Sequence, residues 1–192
     1  MNADGPVTTE LKKRTNRWRR QLMEWLGMFV VGAVFLFFFA PSSWWQFGVS
    51  PVERRKNVSA FTLPKLEGGA DWDFADQRGK VVVVNYWATW CGPCRLEIPG
   101  FVNVANSLGP SGVEIVGVSL DENTAEIPPF VEARKIPYQI LLSVNDPNVS
   151  GSGISLPTTF LYDKSGRLAK KYTGMILEST LRSDIESLLT EN

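Results

Sequence analysis

Hydrophobic and polar positions follow a strand period in some segments of the chain and a helical period in others. The two longest apolar runs in the C-terminal two thirds, Val81–Trp87 and Val113–Leu120, predict buried strands. The other predicted elements are strands at 59–63, near residue 72, at 138–142, and a hairpin of 158–162 with 168–172, and helices after Cys94, at 128–135 and at 177–189. Helices interleaved with a mixed sheet predict an α/β domain with three layers.

The N-terminal part has a different pattern, because residues 22–40 are almost wholly apolar apart from Glu24. A helix from Trp25 to Trp45 would rise about 30 Å, which is the thickness of a bilayer's hydrocarbon core. Tryptophans at both ends fit the interfacial belt of a transmembrane helix, whereas a buried core helix would need neither them nor basic flanks. A cleaved signal peptide needs small residues at its cleavage site, and 38–41 contains only one. The pattern therefore predicts an uncleaved transmembrane signal anchor.

Charge predicts the orientation of this anchor. Six Lys or Arg residues lie in 1–21, while three follow the span at 54–56. The positive-inside rule then places the N-terminus in the cytoplasm and the rest of the chain outside, as a single-pass protein of the cell membrane with an extracytoplasmic or periplasmic domain. We expect a cytoplasmic tail at 1–21, the anchor at 22–45, a linker at 46–58 and one domain at 59–192. The zero net charge of the chain conceals an outer part at about −5, which does not resemble a nucleic-acid surface.

The chemistry of the chain centres on the segment Trp90–Cys94, which reads Trp-Cys-Gly-Pro-Cys. It follows a predicted strand and precedes a predicted helix, so that Cys91 lies at a helix N-terminus. Unpaired backbone N–H groups and the helix dipole stabilise negative charge there, and the thiolate is the attacking species in disulfide exchange. Pro93 suits the first helical turn, where its missing N–H costs nothing. The segment predicts a redox-active dithiol.

Two other uses of the cysteine pair are weaker. A closed zinc site needs four ligands, but the chain has two cysteines and no histidine. A structural disulfide between residues one helical turn apart would close too small a loop to constrain the unfolded chain much. We expect no metal and no cofactor beyond the Cys91–Cys94 disulfide itself.

The segment 87–94, Trp-Ala-Thr-Trp-Cys-Gly-Pro-Cys, resembles the active-site signature of thioredoxins. The surroundings resemble the membrane-anchored thiol–disulfide oxidoreductases of the TlpA and ResA type. The motifs that carry this resemblance are 85–90, Glu97-Ile98-Pro99, 116–122 and 156–161. It extends from about Ala60 to Leu189 and implies a thioredoxin-like fold.

Glu97 follows Cys94 by three residues and so lies on nearly the same side of the helix. Its position beside an apolar stripe predicts partial burial and a raised pKa, and the resemblance implies that it serves the buried cysteine as acid or base. Otherwise it is an ordinary acidic residue near a helix start. Asn85 stands where typical thioredoxins have a buried aspartate, and we expect it to be structural.

The resemblance also implies a substrate-binding surface. Pro157 corresponds to the cis-proline that faces the dithiol in this fold, although by itself it reads as a loop proline. The backbone of Leu156 would then pair with an extended substrate segment, and Trp90, Gly92 and Pro93 would complete the surface. Trp90 could equally be a core residue.

These features predict a thiol–disulfide oxidoreductase that reduces exported proteins, with Cys91 attacking and Cys94 resolving the mixed disulfide. The resemblance implies a transmembrane thiol electron donor of the CcdA or DsbD kind, and clients such as apocytochrome c. The same dithiol could instead work as a thiol oxidase that donates disulfides, or as a non-enzymatic carrier of copper or an apoprotein. A peroxidase of the PxxxTxxC type does not fit, because Val84 and Ala88 occupy the Pro and Thr positions.

Overall fold

A computed structural model describes residues 22–32, 48–149 and 153–191. The chain divides into two units at residues 46 and 47, and the described part of the second, 48–149 with 153–191, is compact. Helix α1 covers 22–32, and its residues are exposed. Among the described residues no helix is both long and apolar enough to cross a membrane. The remainder of the predicted anchor, 33–45, and the predicted tail at 1–21 lie outside the described residues.

The unit 47–192 contains two sheets and three α-helices among its described residues. Its elements are β1 (Lys56–Asn57), β2 (Thr62–Leu63), β3 (Trp72–Asp73), β4 (Val81–Trp87), α2 (Gly92–Leu108), β5 (Val113–Ser119), α3 (Ile127–Ala133), β6 (Gln139–Leu142), β7 (Thr158–Tyr162), β8 (Arg167–Thr173) and α4 (Glu178–Thr190). The larger sheet has the order β1-β8-β7-β4-β5-β6, and β2 pairs with β3 separately. This mixed sheet with interleaved helices confirms the predicted α/β class of the domain.

Strand β4 is the centre of the sheet, and each of its seven residues is buried. It pairs in parallel with β5 and antiparallel with β7. Its side chains alternate between two apolar layers. Val82, Val84 and Tyr86 pack with aromatic residues of the β2–β3 region, whereas Val81 and Val83 pack beneath α2 and α4. Burial on both faces explains why this strand is a continuous apolar run rather than an alternating one.

Helix α2 buries one stripe of side chains and begins at the end of β4. Its N-cap is Cys91, and a proline lies in its first turn. Ile98, Phe101 and Val104 are buried against the sheet, which fixes the rotation of the helix about its axis. A Cβ atom on Gly100 would lie 3.0 Å from the Glu178 Cβ atom, so a larger residue there would press against the start of α4.

Residues 48–57 pack against the rest of this unit, although they fall within the linker predicted at 46–58. Backbone Ser50 N–H donates to the Ala169 carbonyl, and Lys56 and Asn57 extend the sheet beside β8. The Arg55 side chain, only 1% exposed, donates to Asp163 at 3.0 Å and to Glu191 at 2.5 Å. Arg55 therefore joins the start of the unit to the β7–β8 turn and to the C-terminal residues.

We expect Arg55→Met to lower the free energy of unfolding of residues 47–192 by about 3 kcal/mol, because it leaves the buried Asp163 carboxylate without one cation. Arg54→Met is the matched control. Arg54 is exposed, so its replacement should change stability by less than about 0.5 kcal/mol. Urea denaturation of both variants at pH 7 measures the difference, and equal midpoints would contradict the assigned role.

The difference should also depend on pH. Burial acts to raise the pKa of Asp163, but hydrogen bonds from Arg167 and Arg55 outweigh it and hold the pKa below its usual value. A lowered folded-state pKa gives a stabilisation that is present above the unfolded-state value, about 3.9 for Asp, and is lost as the pH falls below it. The destabilisation by Arg55→Met should therefore shrink below about pH 4.

Candidate active site

The dithiol lies in the short turn between β4 and α2, at the carboxyl end of the central strand. Cys91 and Cys94 form a disulfide whose Cα atoms are 5.3 Å apart. Cys91 has an extended backbone and caps the helix, and the backbone N–H of Cys94 donates to the Cys91 sulfur at 3.2 Å. Cys91 keeps 5% of its surface exposed while Cys94 has none. A substrate can therefore reach Cys91 and is shielded from Cys94.

The residues around Cys91 form an exposed rim. Trp90 is 68% exposed, so the structure places it at the surface rather than in the core. Gly92 and Pro93 are also exposed. These three residues, which are predicted to contact a substrate, thus lie at the surface next to Cys91 in the chain. Their exposure leaves the helix N-terminus open on the side from which Cys91 is approached.

Glu97 is buried behind the dithiol, with 4% of its surface exposed. One carboxylate oxygen accepts a hydrogen bond from the Asn85 side-chain amide at 2.8 Å, and the other accepts from the Ile176 backbone N–H at 3.0 Å. Burial raises the pKa of Glu97 to about 6, although both hydrogen bonds act to lower it. A carboxyl group with this pKa can take up and release a proton near neutral pH.

The Leu156–Pro157 peptide bond is cis, in agreement with what the resemblance implies. Leu156 packs against the apolar cluster that contains Cys91 and Cys94, which brings this peptide to the dithiol. The Pro157 carbonyl accepts a hydrogen bond from the Gly174 backbone N–H at 2.8 Å. Two residues later, Ile176 donates to Glu97. The short segment 174–176 therefore connects the cis-proline loop to the buried carboxylate.

Asp121 is a further residue of the site, and in the sequence it stands out only as part of the 116–122 motif. Its carboxylate accepts from the Thr89 backbone N–H at 3.0 Å and from the Thr89 hydroxyl at 2.6 Å. It also accepts from the Ser119 hydroxyl at 2.7 Å. Asp121 therefore holds the turn that carries Cys91. The available signal was an acidic residue just after β5, because neighbouring parallel strands bring their carboxyl ends to one edge of the sheet.

The described residues contain no group of three or more His, Cys, Asp or Glu side chains placed to hold a metal ion. The site consists of a dithiol, the buried Glu97 carboxyl with the Asn85 amide, the Asp121 carboxylate, and backbone and hydroxyl groups. Such a set can exchange disulfides and transfer the accompanying protons.

Comparison with known proteins identifies relatives that are named thiol-disulfide oxidoreductases or thiol:disulfide interchange proteins. The profile of the AhpC/TSA family matches residues 55–184. The thiol-disulfide oxidoreductase ResA of Geobacillus thermodenitrificans is 34% identical over 129 residues, which are 67% of this chain and 74% of that protein. The thiol:disulfide interchange protein DsbE of Pseudomonas fluorescens is 38% identical over 136 residues, which are 68% and 72% of the two chains.

Among solved structures, a thiol:disulfide interchange protein of the thioredoxin family from Chlorobium tepidum superposes with a TM-score of 0.64. It is 25% identical, and the match covers 71% of this chain and 97% of that one. The matched family, the names of the relatives and the geometry of the dithiol agree. The chain belongs to the thioredoxin-like AhpC/TSA family and is a thiol–disulfide oxidoreductase.

Proposed function

We propose that this chain is a membrane-anchored reductant that transfers electrons from a thiol donor in the membrane to disulfides of exported proteins. The observation that carries the proposal is the unequal pair of cysteines. Cys91 is accessible at a helix N-terminus, whereas Cys94 is fully buried one turn away from Glu97. A disulfide reductase needs one accessible cysteine that attacks the client and one shielded cysteine that resolves the mixed disulfide.

In the first step, the reduced Cys91 thiolate attacks one sulfur of a client disulfide. The client's S–S bond breaks, one client sulfur leaves as a thiolate, and the other becomes bonded to Cys91. The N-terminus of α2 stabilises the Cys91 thiolate before the attack through its unpaired N–H groups and its dipole. The Cys94 N–H, which already points at the Cys91 sulfur, is one of these groups.

In the second step, Cys94 resolves the mixed disulfide. Its thiol gives its proton to the Glu97 carboxylate, and the resulting thiolate attacks the Cys91 sulfur. The second client sulfur then leaves, and the Cys91–Cys94 disulfide seen in the structure is formed. The client has gained two electrons, and the enzyme must be reduced again by its donor.

The exposed surface around the dithiol suits an extended client segment. Leu156 lies beside the dithiol cluster with its backbone in the loop before β7, so a client strand could add to it by main-chain hydrogen bonds. Trp90, next to Cys91 in the chain, supplies an exposed apolar side chain. Main-chain pairing with few side-chain pockets would accept clients of varied sequence.

The location outside the cytoplasm rests on the N-terminal sequence. The basic tail at 1–21, the apolar stretch at 22–40 and the tryptophans at 25, 44 and 45 support a single-pass anchor with the N-terminus inside. The domain would then act on the extracytoplasmic or periplasmic side. A reductant there needs electrons carried across the membrane, and a thiol carrier of the CcdA or DsbD kind is the proposed donor. Apocytochrome c before haem attachment is a proposed client.

The reduction potential tests the direction of electron flow. Equilibration of the full-length chain in detergent with glutathione or dithiothreitol buffers should give a value near that of thioredoxin, about −270 mV. A value near −120 mV, as in a strong oxidant, would contradict the proposal and make the chain a disulfide donor. Absence of a two-electron couple would contradict the proposal and favour a non-enzymatic carrier of copper or an apoprotein.

Cys94→Ser should trap clients. The variant retains the attacking Cys91 but cannot resolve, so mixed disulfides with exported proteins should accumulate in cells and disappear on reduction. Cys91→Ser is the matched control, and it should trap none because the remaining Cys94 is buried. Non-reducing electrophoresis followed by mass spectrometry identifies the partners. Capture of cytoplasmic proteins alone would contradict the proposed location.

The proposed orientation predicts that protease added to spheroplasts digests the domain and leaves the tail protected. The control is a variant in which the six basic residues of 1–21 are replaced by Gln, which should weaken or invert the orientation. The domain would then gain protection in part of the population. A domain that is already protected in the unchanged chain would contradict the proposed orientation.

A further inference from the structure

Asn85 connects Glu97 to the strand that follows the cis-proline. It lies in β4, has no exposed surface, and is paired in register with Thr159 of β7. Its side-chain Nδ2 donates one hydrogen to the Glu97 Oε1 at 2.8 Å and the other to the Thr159 Oγ1 at 3.0 Å. Both donors of the amide are therefore used.

The other end of the same amide has no partner. The Asn85 Oδ1 is buried and accepts no hydrogen bond from any described residue. A buried polar atom without a partner is rare in proteins and calls for an explanation. This unpartnered acceptor, Oδ1, belongs to the same side chain whose Nδ2 donates to the ionisable Glu97. A change in the charge of Glu97 would change whether it is best paired with the NH₂ donor or with the oxygen acceptor of the Asn85 amide.

Glu97 requires different partners in its two protonation states. A carboxylate only accepts hydrogen bonds, so the Asn85 Nδ2 and the Ile176 N–H suit the ionised form. A protonated carboxyl also has one hydrogen to donate, and an N–H group opposite it cannot accept that hydrogen. Turning the amide by about 180° around χ2 would exchange Nδ2 for the orphan Oδ1. The Thr159 hydroxyl can donate as well as accept, so it can stay bonded after the turn.

We propose that Asn85 is a positioning residue for Glu97, whose amide donates to the ionised carboxylate and turns to accept the hydrogen of the protonated carboxyl. The role rests on the proposed function, in which Glu97 receives the proton that Cys94 loses. The proton moves from the Cys94 sulfur to a Glu97 oxygen and remains bonded to it, while Asn85 Oδ1 accepts the hydrogen bond. Asn85 itself neither gains nor loses a proton.

The groups that face Glu97 do not interfere with its titration in the oxidised protein. Cys94 on the same helix is held in the disulfide, and the β4 neighbour is the Asn85 amide. Burial and the negative charge of Glu97 raise the pKa of Tyr138, which therefore stays protonated. Glu178, at the start of α4, is bonded to Asn103 and Arg182, which hold its pKa below the usual value. Between about pH 5 and 8, these neighbours each keep one charge state.

Nuclear magnetic resonance of the oxidised full-length chain in detergent tests the proposal on the unsubstituted protein, with Glu97→Gln as the control. The Asn85 side-chain ¹⁵N signal and the Glu97 carboxyl ¹³C signal are followed over the pH range around the expected midpoint of about 6. We expect both signals to shift with the same midpoint, and we expect the Asn85 signal in Glu97→Gln not to shift. An Asn85 signal that stays fixed while Glu97 titrates would overturn the proposal.

Two substitutions give a second test that a purely structural role would not satisfy. Asn85→Ala removes the donor to the carboxylate and should raise the midpoint of Glu97 by about one pH unit. Asn85→Asp can accept from the protonated form but cannot donate to the ionised form, so it should raise the midpoint further. Asn103→Ala is the matched control, because it removes an Asn–Glu hydrogen bond from the same helix and should leave the Glu97 midpoint unchanged.

An unchanged or lowered midpoint in Asn85→Ala would overturn the proposal, and the measurement on the unsubstituted chain decides the question if that variant does not fold. These titrations are independent of client reduction. If the Asn85 and Glu97 signals shift with one midpoint in a chain that reduces no client, the proposed function is refuted. The proposed positioning of Glu97 by Asn85 then still stands. If the chain reduces clients but the two signals do not shift together, the positioning role of Asn85 is refuted and the proposed function still stands.

Discussion

The burial of the Glu97 carboxyl is the constraint on which the arrangement of the site depends. It lies behind the dithiol with hydrogen bonds to the central strand through Asn85 and to the segment after β8 through Ile176. The same segment holds the Pro157 carbonyl through Gly174. A change in the charge of Glu97 therefore acts on groups that reach the proposed substrate-binding backbone. Two hydrogen bonds, from the Ile176 N–H to Glu97 and from the Gly174 N–H to the Pro157 carbonyl, lie between the carboxyl and the cis-proline backbone.

The register of β4 explains why these groups meet. Its carboxyl end continues into the turn that carries Cys91, and its parallel neighbour β5 ends beside it, so that Asp121 can hold this turn. Its antiparallel neighbour β7 begins at the same edge, which places Thr159 opposite Asn85 and the cis peptide before it near the dithiol. One strand with two partners of opposite direction thus gathers nucleophile, carboxyl and substrate backbone.

Much of this followed from the sequence, because the signals were local. Unbroken apolar runs predicted β4 and β5, and the short segment containing Cys91 and Cys94 predicted the dithiol at a helix start. The resemblance added Pro157, whose cis bond no spacing could predict. Asp121 and the pairing of Asn85 with Thr159 were not predicted, since each depends on which strands are neighbours and in which register. The packing of Arg55 was also missed, because a basic trio in a short polar segment is usually solvated.

The charges of the molecule are separated in a way that suits this chemistry. The Arg55 network contacts the turn after β7, which lies at the β4 end opposite the dithiol, about 20 Å away by strand length. At the dithiol end, Glu97 has hydrogen-bond donors but no ion-pair partner among the described residues. An arginine beside Glu97 would hold the carboxylate ionised and stop it from accepting a proton near neutral pH. An aspartate at residue 85 would place a second negative charge beside it, whereas the amide supplies a donor and an acceptor without a charge. A neutral partner therefore leaves burial to set the pKa of Glu97, and the fixed ion pairs stabilise the fold where no proton has to move.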